Sequence, residues 1–414
     1  MNPIERSKSV VVVGAGAAGM VAAIHAAREG HRVVLLEKLS KIGTKLKATG
    51  GGRCNMTNTL DNESFMQHFG RDGRFMAPVL ERFDSQKVIA FFREIGVESH
   101  APDGYRVFPI THNASTILNA LEKEMVQLGV KIYCSQKVIS LQYQAKKITG
   151  VTTTTDTFET ENVIIATGGK GYPTLGAEGD GYKLALSLGH TVTEIQPAMM
   201  PLKTKERWVA ACTADTLPKV TMNVALKKYR KLKARGDLIF TKNGIRGPVV
   251  LDFSREITPL LSRYEEVPVS INMTKGMNET QIRTHFKKVL AKNPHQDTLT
   301  LLTTLLPHSV SLALCSLANA ERHIGFNKQP GIVRERLVQL LVSTPLTVNG
   351  HDGFKMAMIT RGGISLKEIN PYTLQSKKIA GVYFCGEVMN LDGPCGGYNL
   401  QWSFASGYVA GALH

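Results

Sequence analysis

Near the start of this 414-residue chain, Gly14-Ala15-Gly16-Ala17-Ala18-Gly19 directly follows the β-branched run at 10–13. That order leaves the backbone few options. The valines read as a buried parallel strand. A helix-like stretch then runs to Arg28, and Gly30 ends it. Arg32-Val33-Val34-Leu35-Leu36-Glu37 reads as a second strand, completing a βαβ unit. In such a unit Gly14 makes the tight turn, Gly16 admits a pyrophosphate to the backbone, and Gly19 lets helix and strand pack closely. Ala17 and Ala18 open the helix, whose first amides and partial positive charge suit phosphate. Glu37 is placed to accept from a ribose diol and would repel a 2′-phosphate.

The same run has a superficial second reading. Arg6 and Lys8 precede uncharged residues 9–24, much as in a signal peptide. The spaced glycines, and a length too short to span a bilayer comfortably, favour strand, turn and helix. No other stretch qualifies as a membrane span. With 43% hydrophobic and 20% charged residues, neither a disordered tail nor a disulfide-stapled miniprotein is compatible. The six cysteines are Cys54, Cys134, Cys212, Cys315, Cys385 and Cys395, and no two have metal-ligand spacing. No metal site is expected, and the scatter suits a reducing, cytoplasmic compartment. The chain contains no GxxxxGK[ST], HExxH or GxSxG.

Residues 38–58 read as a loop rich in Gly and Lys. Helices are expected at about 86–94, 115–128 and 180–188. Strands are expected at 130–134, 137–142, 147–154 and 157–166. Beyond residue 195 the texture changes. Strand-like pieces fall near 219–226 and 267–272, a largely helical stretch covers about 280–341, and strand signals return at 346–348 and 357–359. Residues 378–385 form another buried strand, and a glycine-rich turn and a terminal helix to about 410 complete the chain. The fold is therefore begun at the N-terminus, interrupted, and finished at the C-terminus. Residues 1–195 and 356–414 make one α/β cofactor-binding domain, and 196–355 are an insert.

This split layout points to FAD rather than NAD. The strand ending in Ala166-Thr167-Gly168-Gly169 can pass close to the first nucleotide turn. A later strand ends in Gly386-Glu387, and Asp392-Gly393-Pro394-Cys395-Gly396-Gly397-Tyr398-Asn399-Leu400-Gln401 opens the last helix. The first βαβ would hold the ADP half and the returning segment the ribityl chain and flavin. A helix N-terminus at the pyrimidine edge would stabilise negative charge there. Gly43, Lys45, Gly52 and Val138 complete the candidate cofactor-binding set. No second GxGxxG appears, so NAD(P)H as electron donor would dock only transiently.

GAGAAG, Glu37-Lys38, Gly50-Gly51-Gly52-Arg53-Cys54-Asn55, ATGG and GE…DGPCGGYNLQ together resemble the HI0933-like (YhiN/BaiN) flavoprotein family, over positions 10 to 411. The resemblance implies a glutathione-reductase-type, Rossmann-like FAD domain. It also implies that the insert is part β-barrel, with a helical subdomain at about 277–342. Family motif positions carry over to Gly14, Gly16, Gly19, Glu37, Lys38, Gly51, Arg53, Cys54, Asn55, Gly168, Gly386, Glu387 and 397–401.

Arg53 is a candidate anchor for a phosphate or an acidic substrate group. Cys54 is a candidate proton donor or redox thiol if Arg53 or Lys45 lowers its pKa, the alternative being a buried structural cysteine. Cys395 sits where helix-end amides favour thiolate, the alternative again being packing. Six cations, Lys227, Lys228, Arg230, Lys231, Lys233 and Arg235, fall in nine positions of the insert, and the chain carries a net charge of +16. In a strand such cations would divide between two faces. They suit either a solvated hairpin or phosphate contacts to RNA. Three functional readings follow. One is reduction of a conjugated C=C, or oxidation of an amine or alcohol, on a small molecule. Another is reduction of uridine to dihydrouridine in ribosomal RNA. The third is a flavin-containing binding or assembly protein without turnover.

Overall fold

The computed structural model describes residues 8–414, so Arg6 lies outside the described residues. The polypeptide forms two units, one comprising the chain up to Gln196 together with Met358–His414, the other Pro197–Ala357.

In the first unit, β1 (Ser9–Val13) is central because four successive valines at 0–5% exposure can be covered on both faces. It runs parallel to Asn162–Ile165 on one side and to β2 (Arg32–Leu36) on the other. Val382–Phe384 and Lys131–Tyr133 extend the sheet at its two edges, also in parallel. The uncharged run at 9–24 is thus β1 plus the start of α1 (Ala17–Arg28). A three-stranded antiparallel meander, Val138–Gln144, Lys147–Thr153 and Thr157–Glu159, is appended.

Residues 157–166, expected as one strand, are two. The Thr160 hydroxyl donates to the Ser9 carbonyl (2.9 Å) and accepts from the Asn162 amide (3.2 Å), ending the meander and starting the central strand. Residues 38–58, expected as loop, contain the short helix Thr44–Ala48, a tight turn at Thr49–Gly52 and the strand Thr57–Asn58. Of the expected strand at 378–385, only Val382–Phe384 is extended in the sheet.

The terminal helix, Tyr398–Gly411, lies against α1 at very short range. A Cβ on Gly407 would stand 2.3 Å from the Ala18 carbonyl oxygen, and one on Gly411 would stand 2.6 Å from that of Ala22. Two glycines four apart therefore face two alanines four apart, and this seam brings the two ends of the chain together.

The second unit is a closed, six-stranded antiparallel barrel, in the order Leu202–Thr204, Gly244–Arg246, Lys233–Thr241, Thr216–Val224, Val267–Asn272, Thr344–His351. The helix Pro248–Tyr264 buries Val249, Val250, Phe253 and Ile257 against it. The sequence reading did not place this helix, because Pro259 interrupts an otherwise helical pattern. Glu279–Lys292, Thr298–Thr303, His308–Ala318 and Gly331–Val342 supply the expected helical stretch. Among the described residues no helix is long and apolar enough to cross a membrane.

Candidate cofactor site

One cleft of the first unit is lined from both ends of the chain and encloses about 1220 Å³ including its open mouth. Its floor is the β1–α1 turn, through Gly14, Ala15, Gly16, Ala17 and Ala18. Gly14 takes a φ of +101°, and a Cβ there would meet the Ala166 carbonyl oxygen at 2.7 Å. Gly19 has the tightest constraint, since its Cβ would lie 1.9 Å from the Gly14 oxygen. Gly16 is different: a Cβ on it meets no protein atom within 4 Å. Protein packing therefore accounts for Gly14 and Gly19, whereas Gly16 borders empty space. It is also the N-cap of α1, with no side-chain cap and no acid in the first turn.

At one end of the cleft the Glu37 carboxylate is fixed by two backbone donors, Ala15 N–H and Leu39 N–H, each at 2.9 Å. Lys38 lines the cleft, but its ammonium is committed to Asp180 (2.6 Å) and Glu178 (2.8 Å). Lys137 reaches the same two acids at 3.4–3.5 Å. This network pins Leu175, Gly176 and Ala177, which line the cleft, beside the β2 end. Gly43, Lys45, Val138, Ala166, Thr167 and Gly168 line it as well. The Thr167 hydroxyl is buried with no hydrogen-bond partner among the described residues.

At the other end stand Gly386, Glu387, Asn399 and Leu400. Glu387 ties three segments together: it accepts from Lys45 Nζ (2.8 Å) and from Thr360 N–H (2.8 Å), and its oxygen would sit 2.5 Å from a Cβ on Gly169. Gly169 thus packs against this anchor and does not line the cleft. Asn399 accepts from Gly393 N–H and donates to the Gly393 carbonyl, both at 2.8 Å, which shapes the turn before the terminal helix.

Several candidate residues are spoken for by protein contacts. With its side-chain amide assigned the orientation that its neighbours require, Asn55 donates to the carbonyls of Thr57 (3.0 Å) and Val107 (3.2 Å) and accepts from Gly397 N–H (3.0 Å). Gly397 cannot carry a Cβ, which would stand 2.4 Å from the Thr57 oxygen. The GGRCN and GGYNLQ segments therefore clasp each other. Tyr398 is buried among Phe65, Phe69 and His68, with its hydroxyl on that of Tyr105. Gln401 is buried and donates to the Phe83 carbonyl (3.1 Å). None of these four lines the cleft, and neither do Gly51 and Gly52, which are held at positive φ in the turn before Arg53.

The catalytic candidates also lie outside it. Arg53 is exposed, donating to the Gly50 carbonyl (3.3 Å) with its guanidinium 5.5 Å from the centre of the Phe108 ring. Cys54 is fully buried, and burial pushes its thiol up to about 12, against a hydrogen bond with Thr49 that lowers it. That is opposite in sign to the lowered pKa that a thiolate role needs, because burial disfavours the charged form. Cys395 is half-buried in the turn before the terminal helix. None of the six cysteines is in a disulfide.

Sequence reasoning missed Thr360, Asp180 and Ser403. Ser403 carried a usable signal, since it lies one helical turn beyond Leu400 and Asn399 and shares their face. Thr360 and Asp180 carried none.

The family model of the HI0933-like protein Rossmann domain matches residues 8–413. The chain belongs to the HI0933-like family. It is 34% identical over 403 residues to a 3-dehydro-bile acid delta(4,6)-reductase of Clostridium scindens, covering 97% of each chain. It is 28% identical over 405 residues to a ribosomal RNA dihydrouridine synthase of Haemophilus influenzae, covering 96% of each. Among solved structures it is similar in fold to a flavocytochrome c3 fumarate reductase, with a TM-score of 0.51 and 18% identity over 98% of this chain and 77% of that one. A 3-ketosteroid delta1-dehydrogenase from Sterolibacterium denitrificans gives 0.53 and 13%, over 98% and 99%. The chain is an FAD-dependent oxidoreductase with a Rossmann-type α/β fold and a six-stranded barrel.

The residues fit FAD on structural grounds. Gly16 leaves room that no side chain fills, the Thr167 hydroxyl lacks a hydrogen-bond partner among the described residues, and the β1–α1 turn and the terminal helix open on one cleft.

Proposed function

We propose that this protein reduces a carbon–carbon double bond conjugated to a carbonyl, with NAD(P)H as electron donor. The observation that carries this reading is the single cleft lined by Gly14–Ala18 and Glu37 at one end and by Gly386, Glu387 and Leu400 at the other. A dinucleotide held at the first end would direct its reactive ring towards the returning segment. Bound FAD supplies two-electron hydride chemistry. Glu37 would hold the adenosine ribose, Gly16 and the first turn of α1 the diphosphate, and Lys45 and Glu387 the region between diphosphate and ring. Overall, NAD(P)H and one proton are consumed and C=C becomes CH–CH. The names of two relatives, a 3-dehydro-bile acid delta(4,6)-reductase and a ribosomal RNA dihydrouridine synthase, support a reduction of this kind.

A second reading concerns the substrate. The hairpin cations Lys227, Lys228, Arg230, Lys231 and Lys233 are exposed and pair with no acid among the described residues, which favours uridine in structured RNA over a small apolar molecule. The test is anaerobic: NADH or NADPH should bleach the visible flavin absorbance of the purified holoprotein. An enone steroid, or unmodified ribosomal RNA, should then restore it. Bleaching with neither reductant refutes the donor assignment. Recovery with neither acceptor refutes the C=C reading.

A further inference from the structure

The basic hairpin is one side of a larger surface. It joins Thr216–Val224 to Lys233–Thr241, and two back-to-back turns shape its tip: Tyr229 N–H donates to the Leu226 carbonyl and Leu232 N–H to that of Tyr229, both at 2.9 Å. Lys233 and Arg235 are both exposed on the outward face of the strand, while Leu238 and Phe240 point into the barrel. The cations are thus not divided between two faces. Arg235 donates to the Lys275 carbonyl (3.4 Å), which brings the exposed Lys275 to the same side.

The sequence gives no hint of what stands beside the tip. Ala225 N–H donates to the Pro268 carbonyl (2.8 Å), so the root of the hairpin meets the strand that begins just after the helix Pro248–Tyr264. The end of that helix therefore meets the tip. Tyr264, 39% exposed, lies edge-on to the half-buried Tyr229, with ring centres 6.1 Å apart. Lys228 Nζ stands 5.7 Å from the centre of the Tyr229 ring, and Arg263 Cζ 5.4 Å from that of Tyr264. Leu226 and Leu232 pack against the barrel core, as does one side of the half-buried Tyr229, so among the described residues the tip turns no aliphatic side chain outward to enter a bilayer. Of the neighbouring acids, Glu266 is engaged by Lys205 (2.9 Å).

We propose that Tyr229 and Tyr264, flanked by Lys228 and Arg263, form a stacking platform for an unpaired nucleotide of single-stranded RNA, with Lys227, Arg230, Lys231, Lys233, Arg235 and Lys275 holding the flanking phosphates. This rests on the RNA reading above and adds to it the form in which the RNA is held. Aromatic rings interleaved with cations bind bases irrespective of sequence, and they cannot engage bases already stacked inside a duplex. A cation-rich tip with no outward aliphatic side chain suits RNA better than a lipid surface.

The experiment titrates holoprotein with a fluorescent single-stranded RNA of about 12 nucleotides and with a duplex of equal length, across a salt series. Y229A/Y264A should weaken single-strand binding about tenfold or more with an unchanged salt slope, and Y229F/Y264F should restore it. K227A/K228A/R230A/K231A should instead flatten the salt slope. FAD content, read from the visible spectrum, should stay at the wild-type level in every variant. If wild type binds no RNA, the RNA reading and the platform both fall. If wild type binds and Y229A/Y264A binds equally well, only the platform falls. Capture by phosphatidylglycerol vesicles without RNA binding overturns both in favour of a membrane surface.

Discussion

Gly16 and Gly19 are chemically the same residue three positions apart, yet substituting each should do opposite things. In Gly19→Ala the new methyl carbon would stand 1.9 Å from the Gly14 oxygen. No side chain can move aside, because the obstacle is backbone, so helix and strand must separate. Overpacking of this kind costs about 1–3 kcal/mol, or roughly 2–12 °C in Tm at about 2–4 °C per kcal/mol. In Gly16→Ala the methyl group meets no protein atom, and φ −84°, ψ −172° is a conformation alanine adopts freely. The apoprotein should therefore keep its stability, or gain about 0.4–1 kcal/mol through the stiffer unfolded chain. The methyl group would instead stand where the diphosphate approaches. Losing one charge-assisted hydrogen bond there is worth about 1.5–3 kcal/mol, or roughly a 10- to 150-fold weaker Kd. The assay is a thermal melt of each FAD-stripped variant, followed by FAD titration read by flavin fluorescence. Gly16→Ala with wild-type FAD affinity, or with an apoprotein Tm lowered as much as that of Gly19→Ala, would refute the assignment of the space above Gly16.

Three further outcomes are expected. Cys54 should resist iodoacetamide in the native protein, as mass spectrometry would show, and Cys54→Ala should keep turnover within a few-fold, because burial holds the thiol neutral at about 12. Asp180→Asn should speed FAD dissociation by roughly 5- to 30-fold, the equivalent of about 1–2 kcal/mol. It removes the acid that Lys38 and Lys137 share beside the cleft, and the effect should shrink with salt in stopped-flow release. Glu368 is held at about 2 although burial raises it, because Lys378 and the Thr191 N–H (2.7 Å) favour its charged form. Its folded pKa is therefore depressed below the unfolded value of about 4.3. Its contribution is full above that value and is lost as pH falls towards about 2. Glu368→Gln should flatten the acid limb of the stability–pH curve in that window, as denaturant melts would show.

The βαβ unit was legible in the sequence because its constraints are local. Four valines, three spaced glycines and a carboxylate at a strand end fix strand, turn and helix within residues 9–37, and the family motifs placed FAD at both ends of the chain. Other features were decided by residues far apart in the chain. A carbonyl of Ser9 splits residues 157–166 into two strands, and packing on the barrel carries a helix through Pro259. Asn55 looks like a cofactor ligand until the Gly397 N–H donates to it, and Cys54 looks reactive until the core closes over it. Lys38 looks like a cofactor ligand until Asp180 claims it. Tyr264 acquires a role only because a strand register carries a helix end to a hairpin tip. A sequence specifies what each residue can do chemically. Which of those capacities remain open depends on the neighbours that folding supplies, and a hydrogen bond made across 342 residues, as between Lys45 and Glu387, leaves no local trace.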